Sequence, residues 1–163
     1  MVKRLIQKKL DIINKLRNQN VLLKEQLRVQ QEQMRKLAYE YLQLGNDSIT
    51  LAKDIRSAIA NYDKAISLYP EMTEAWIRKG VTLFNNKDYM EAEACFNTAI
   101  KTSPSEFKGY YNRGKLRLAT NNVEGAIADF DKATSLNPDH AGSHQLFGDA
   151  LLRDGKENLA SIH

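Results

Sequence analysis

His140 and His144 lie four residues apart, the spacing at which two imidazoles on one helix face share a metal ion. No cluster of cysteines or carboxylates accompanies them, and His140 falls in the loop after Pro138, so no metal site is expected. Cys95 is the only cysteine. It has no histidine at a readable spacing and precedes the packing residue Phe96, so it reads as a small buried hydrophobe and not as a nucleophile. Gly80, Gly114 and Gly148 stand alone, whereas a phosphate-cradling loop needs glycines close together. Asn46-Asp47-Ser48 has the form of a glycosylation acceptor, but with no secretory signal it reads as a helix turn. These residues predict no catalytic, cofactor or metal chemistry, and the chain reads as a non-enzyme.

The remaining content fits a folded, helix-rich protein. The 163 residues are 42% hydrophobic and 27% charged, with three prolines and eight glycines. No stretch reaches the roughly 18–20 apolar residues of a membrane span. Met1-Val2-Lys3-Arg4 leads into a charged helix without an apolar signal core, which, with one cysteine, predicts a cytoplasmic protein. Charge divides the chain in two. Residues 1–36 hold ten Lys or Arg against three Asp or Glu, a net +7; the rest hold fourteen against seventeen, a net −3. Such asymmetry marks two parts with different tasks.

Pro70, Pro104 and Pro138 are 34 residues apart, and each ends a stretch A-x3-[YF]-x2-A-x4-P. The instances are Ala58, Tyr62, Ala65; Ala92, Phe96, Ala99; and Ala126, Phe130, Ala133. With each proline as place 32, Trp76 and Tyr110 take place 4, and Gly80 and Gly114 take place 8. A fourth copy opens with His144, Phe147, Gly148 and Leu151 at places 4, 7, 8 and 11, and Ala160 at place 20. Over roughly residues 31–163 the chain resembles the tetratricopeptide repeat family, whose 34-residue unit is a helix–turn–helix. The resemblance implies an all-α, right-handed α-solenoid of about 3.5 units. Residues 31–70 read as the first repeat, 73–106 as the second, 107–140 as the third and 141–163 as part of a fourth. Small residues at places 8 and 20 then let paired helices cross closely, and the aromatic at place 24 and alanine at place 27 pack on the next repeat.

The first copy is irregular. With Leu37, Ala38 and Tyr41 at places 7, 8 and 11 and Gly45 at the turn, Ala58 arrives eight residues late. Asp47 or Ser48 is a good N-cap, so the insertion reads as two extra turns on the second helix, about 12 Å. The fourth copy stops at His163 before its second helix is complete. Because an open-ended stack leaves apolar surface uncapped, the chain reads as part of a longer protein.

Residues 1–44 hold no proline or glycine, and their apolar residues follow a seven-residue frame. Position a reads Ile6, Ile13, Asn20, Leu27, Met34, Tyr41; position d reads Val2, Lys9, Leu16, Leu23, Gln30, Leu37, Leu44. This is a coiled-coil seam, with Asn20 as the polar a residue that fixes register and favours two parallel strands. Ile6, Ile13, Leu16, Asn20, Leu23 and Leu27 are the expected oligomerisation residues, and the helix should run unbroken into the first repeat. Homo-oligomerisation as a dimer or larger is the leading reading. Packing against another part of a longer protein, and attachment of the basic helix to nucleic acid or an anionic surface, stay open. No aromatic residue among the cations stands ready to stack on bases.

The resemblance places the concave groove on places 2, 5, 6, 9, 12 and 13 of each first helix. These are Glu74, Ile77, Arg78, Val81, Phe84 and Asn85 in the second copy. In the third they are Lys108, Tyr111, Asn112, Lys115, Leu118 and Ala119, with Gln145 and Asp149 in the fourth. Arg78, Val81, Asn85, Lys108, Tyr111, Asn112 and Lys115 form the expected partner-binding set, suited to an extended or helical peptide with acidic groups; ordinary solvated positions are the plainer alternative. Some family members clamp the C-terminal carboxylate of heat-shock chaperones with Lys at 5 and Asn at 9, then Asn at 6, then Lys at 2 and Arg at 6. Here those places hold Arg35, Tyr39, Arg78, Lys108 and Asn112; Lys108 alone matches outright, so no chaperone clamp is expected. The chain reads as a non-catalytic scaffold for protein–protein interaction. Its alternatives are a regulatory or sensory region of a larger effector and a basic helix on nucleic acid.

Overall fold

Each of the three prolines halts a helix through the residue before it. Steric clash with the proline ring pushes that residue out of the helical region. Tyr69, Ser103 and Asn137 adopt nearly one conformation, with φ −142°, −138° and −138°. Their N–H groups donate to the carbonyls of Ala65, Ala99 and Ala133, each at 2.9 Å. The computed structural model describes residues 2–160, with side chains as far as 155. Its elements are α1 (Val2–Thr50), α2 (Ile55–Leu68), α3 (Thr73–Asn85), α4 (Tyr89–Thr102), α5 (Phe107–Ala119), α6 (Val123–Leu136) and α7 (Ala141–Ala160). No strand occurs among the described residues, and the fold is an all-α solenoid of helix pairs that follows a long N-terminal helix.

The turn inside each pair has its own local cause. Lys53, Lys87 and Asn121 sit at φ 53°, 70° and 67°, in the left-handed region, each one residue before the N-cap of the pair's second helix. Asn tolerates that region; for Lys it costs about 1–2 kcal/mol. The Asp54 carboxylate then accepts from the Ser57 N–H at 3.1 Å, and the Asn122 side chain from the Gly125 N–H at 3.0 Å. Both satisfy orphan donors of a helix start.

Glycine sets how closely the paired helices approach. A Cβ built on Gly80 would lie 2.6 Å from the Phe96 ring, and one on Gly114 would lie 2.8 Å from Phe130. Gly45 has the same relation to Tyr62, closer still. Gly45 therefore takes place 8 of the first repeat, Tyr41 takes the place of Trp76, and Ala38 opens the unit. This corrects the expected register. Ala38 does not occupy the crossing, Gly45 is not in the turn, and α2 carries no extra turns, having 14 residues like α4 and α6. Measured from Gly45, α1 ends at Thr50 in the place where α3 ends at Asn85 and α5 at Ala119. The irregularity shrinks to one additional residue in the turn between Thr50 and Asp54. Ala38 and Gly45 are seven residues apart, close to two turns at 3.6 residues per turn. They share a face, so spacing alone could not distinguish them.

The chain divides into two compact units, residues 1–37 and 38–163. In the second, the core has three clusters. Ala38, Leu42, Ala58, Tyr62 and Ala65 form one with Met72 and Ala75; Leu83, Ala92, Cys95, Phe96 and Leu116 form the next; Ala126, Phe130 and Ala150 form the last. Burial pushes the Cys95 thiol up to about 11, which keeps it protonated and inert.

Among the described residues the fourth copy is one helix. α7 runs unbroken through the place where a turn was expected, and a Cβ on Gly148 would meet nothing within 4 Å. The expected partner of Gly148, Ala160, lies outside the described side chains, as does His163. Leu146, Phe147 and Ala150 cover Phe130 and Ala126, so α7 closes the third repeat. His140 starts this helix: its Nδ1 accepts from the Ser143 N–H at 3.1 Å, and its ring lies 4.7 Å from Phe107 and 4.8 Å from Tyr111. Replacing His140 by Ala removes both cap and ring, and should destabilise α7 by about 0.5–2 kcal/mol. Faster amide hydrogen exchange confined to α7 is the expected sign, and His140→Asn, which keeps a cap acceptor, should restore part of the protection.

Candidate protein-interaction surfaces

Residues 2–37 expose their apolar seam. Ile6, Ile13, Leu16, Leu23 and Leu27 are each at least half exposed, and Asn20 is exposed among them. The acids of this segment stand away from the seam. Asp11, Glu25 and Glu32 all fall at the outermost heptad position, f. There Asp11 accepts from Gln7 at 2.9 Å, and Glu25 and Glu32 pair with Arg28 and Arg35 at 2.7 and 3.8 Å. The seam's rims hold Lys3, Arg17 and Lys24 on the e side and Leu5, Ile12, Gln19, Gln26 and Gln33 on the g side. The seam ends before the repeats: Tyr41, expected at a, packs in the first repeat's core with the Lys64 ammonium 5.1 Å from its ring centroid.

In the repeats, the expected groove residues separate into three kinds. Ile77 is 4% exposed and belongs to the core, whereas Val81 is half-buried, packed against the second core cluster. Arg78 and Lys108 share one carboxylate: Arg78 Nε lies 2.7 Å from Glu74 and Lys108 Nζ lies 3.8 Å from it. Asn112 turns back to its own helix, donating to the Lys108 carbonyl at 2.8 Å. Lys115 differs. Its ammonium lies 5.5 Å from the Tyr111 ring centroid and 6.0 Å from that of Phe84, with no carboxylate in ion-pair range among the described residues. Asn85, Gln145, Asp149 and Ala119 are exposed.

Sequence reasoning missed two arrangements. Asp129, nearly buried, receives two arginines: Arg113 donates from Nε at 2.9 Å and Nη2 at 2.6 Å, and Arg117 Nη1 lies 3.0 Å away. The signal was a pair of arginines one turn apart on α5, but their partner on α6 is set only by the pairing of helices. The second is a cavity walled by Ile49, Lys53, Ile55, Thr82 and Asn85, three of which the shifted register had hidden. Both histidines are used structurally. His144 Nε2 lies 2.7 Å from the Pro138 carbonyl, just as Trp76 Nε1 donates to the Pro70 carbonyl at 2.9 Å. With Gly45 at place 8, the clamp places read Leu42, Asn46, Arg78, Lys108 and Asn112. Asn46 and Lys108 match, yet Leu42 is buried and Asn46 accepts from the Tyr62 hydroxyl at 3.0 Å.

Helix pairs repeated at 34 residues, with small residues at every crossing, define a helical-repeat solenoid. Models of the tetratricopeptide repeat match residues 73–106 and 107–140, and residues 73–140 are two such repeats. Among curated proteins, the chain is 30% identical over 107 residues to "BBSome complex member BBS4" of Xenopus tropicalis, covering 65% of this chain and 21% of that protein. It is 36% identical over 78 residues to "Protein STIP1 homolog" of Dictyostelium discoideum, covering 48% and 14%. The chain thus spans about a fifth or less of these relatives. Among solved structures, "First TPR of Spaghetti (RPAP3) bound to HSP90 peptide SRMEEVD" superposes with a TM-score of 0.71 at 22% identity, covering 74% of this chain and 95% of that one. No helix among the described residues is long and apolar enough to cross a membrane.

Proposed function

We propose that the chain is a non-catalytic scaffold that binds an acidic peptide or helix in the concave face of its repeats and self-associates through residues 1–37. Lys115 carries the groove reading: a cation held between two aromatic faces, uncompensated by a carboxylate of the described chain, is suited to an incoming acid. The first TPR of Spaghetti (RPAP3), which shares this fold and is bound to an HSP90 peptide, supports peptide binding as a use of such repeats. Two matching places out of five argue for a different ligand end here. The exposed seam with Asn20 supports pairing of two copies, which would double the groove and raise avidity toward a multivalent partner. The single, buried Cys95 supports a reducing, cytoplasmic setting.

Salt separates the readings. Two copies of a helix with net +7 repel, and their rims offer no carboxylates to each other. Raising salt from about 0.01 M to about 0.1 M cuts the Debye length from ~30 Å to ~10 Å and should therefore strengthen self-association. Groove binding of an acidic peptide, or of nucleic acid by the basic helix, should weaken under the same change. Sedimentation equilibrium at tens of micromolar measures the first. A chain that stays monomeric at every concentration and salt would sink self-association.

A further inference from the structure

Between the first and second repeats, Ile49, Lys53, Ile55, Thr82 and Asn85 surround a cavity of about 220 Å³. Small-molecule sites run to about 300–1,000 Å³, so this space suits a single side chain. Its origin lies in the sequence. In the next repeat, the places of Ile49 and Ile55 are taken by Phe84 and Tyr89, whose rings meet with centroids 5.8 Å apart. In the first repeat two smaller aliphatics and a turn one residue longer leave the equivalent place open.

The wall and the mouth have different chemistry. Ile49 and Ile55 make the wall apolar. Lys53 is held at φ 53°, a backbone state that glycine would adopt without strain, and it carries an ammonium with no carboxylate in ion-pair range among the described residues. Asn85 is exposed at the other side.

We propose that this cavity is the anchor pocket of the groove, taking one Leu-sized aliphatic side chain of an acidic peptide while Lys53 pairs with a carboxylate beside that anchor and Asn85 hydrogen-bonds the peptide backbone. This rests on the groove reading above and specifies its ligand: an aliphatic residue flanked by acids, in contrast to a purely acidic stretch.

The test uses the full chain and fluorescence anisotropy with synthetic Glu/Ser peptides carrying one central Leu, or Ser in its place. Wild type should favour the Leu peptide about tenfold or more. Ile49→Phe with Ile55→Tyr, the residues the next repeat carries there, should erase the preference and keep acid-dependent binding. If the double variant folds poorly, Asn85→Phe, which closes the mouth from the exposed side, should also erase the Leu preference, while weakening both peptides alike through loss of the backbone hydrogen bond. Lys53→Gln should weaken both peptides. Acidic peptides bound without a Leu preference, or a preference that survives the filled pocket, would overturn the anchor and leave the groove reading standing. Failure to bind any acidic peptide would overturn both.

Discussion

Asp129→Ala should lower the stability of the repeat unit by about 3–5 kcal/mol, the cost of removing one member of a buried charge group. The carboxylate is only 4% exposed and is shared by Arg113 and Arg117, both largely buried themselves. Without it, two guanidiniums stay between α5 and α6 with their main counterion gone. Arg113 keeps Asn97 at 2.7 Å, and Arg117 keeps the partly exposed Glu93 at 3.2 Å, too little to compensate. Since a domain's total stability is about 5–15 kcal/mol, the loss should show as a large drop in the urea midpoint followed by circular dichroism. A triple replacement of Asp129, Arg113 and Arg117 by Leu removes the charges together and should recover most of the loss. If Asp129→Ala shifts the midpoint no more than an ordinary surface change, the network is not the clamp its geometry implies.

Gly45→Ala and Gly80→Ala should each destabilise by about 1–3 kcal/mol, although alanine is the better helix former. The new methyl would collide with the buried Tyr62 ring in the first case and sit 2.6 Å from the Phe96 ring in the second. Neither ring can move without disturbing its cluster. Gly148→Ala, at the same place of the fourth copy, meets nothing and should stabilise α7 by about 0.5–1 kcal/mol. The opposite signs at equivalent places make this a test of register as well as of packing. Were Gly45 in the turn, as spacing suggested, its substitution would be nearly neutral, because no glycine of the described chain has a positive φ. Thermal melts of the three variants decide it.

The places where spacing misled share one cause. A helical face repeats almost every seven residues, so Ala38 and Gly45 were interchangeable as crossing residues until the Tyr62 ring selected one. The error then spread to the groove. It put Arg35 and Tyr39 where Leu42 and Asn46 belong, and it hid the pocket beside Ile49. In the fourth copy, the sequence held small residues at the right places, yet α7 runs on through residue 160.

By itself the sequence determined the helices and their rhythm. Proline geometry, N-cap chemistry and the spacing of Ala, Gly and aromatic residues act within a few residues of chain, so they can be read from it. It also determined which segment is basic and that its apolar residues form a seam. Tertiary structure alone decided which carboxylate two arginines share, which groove candidates are core, and where a single added residue opens a pocket. Those outcomes depend on distances between helices that the chain joins only through turns, and no local spacing carries that information.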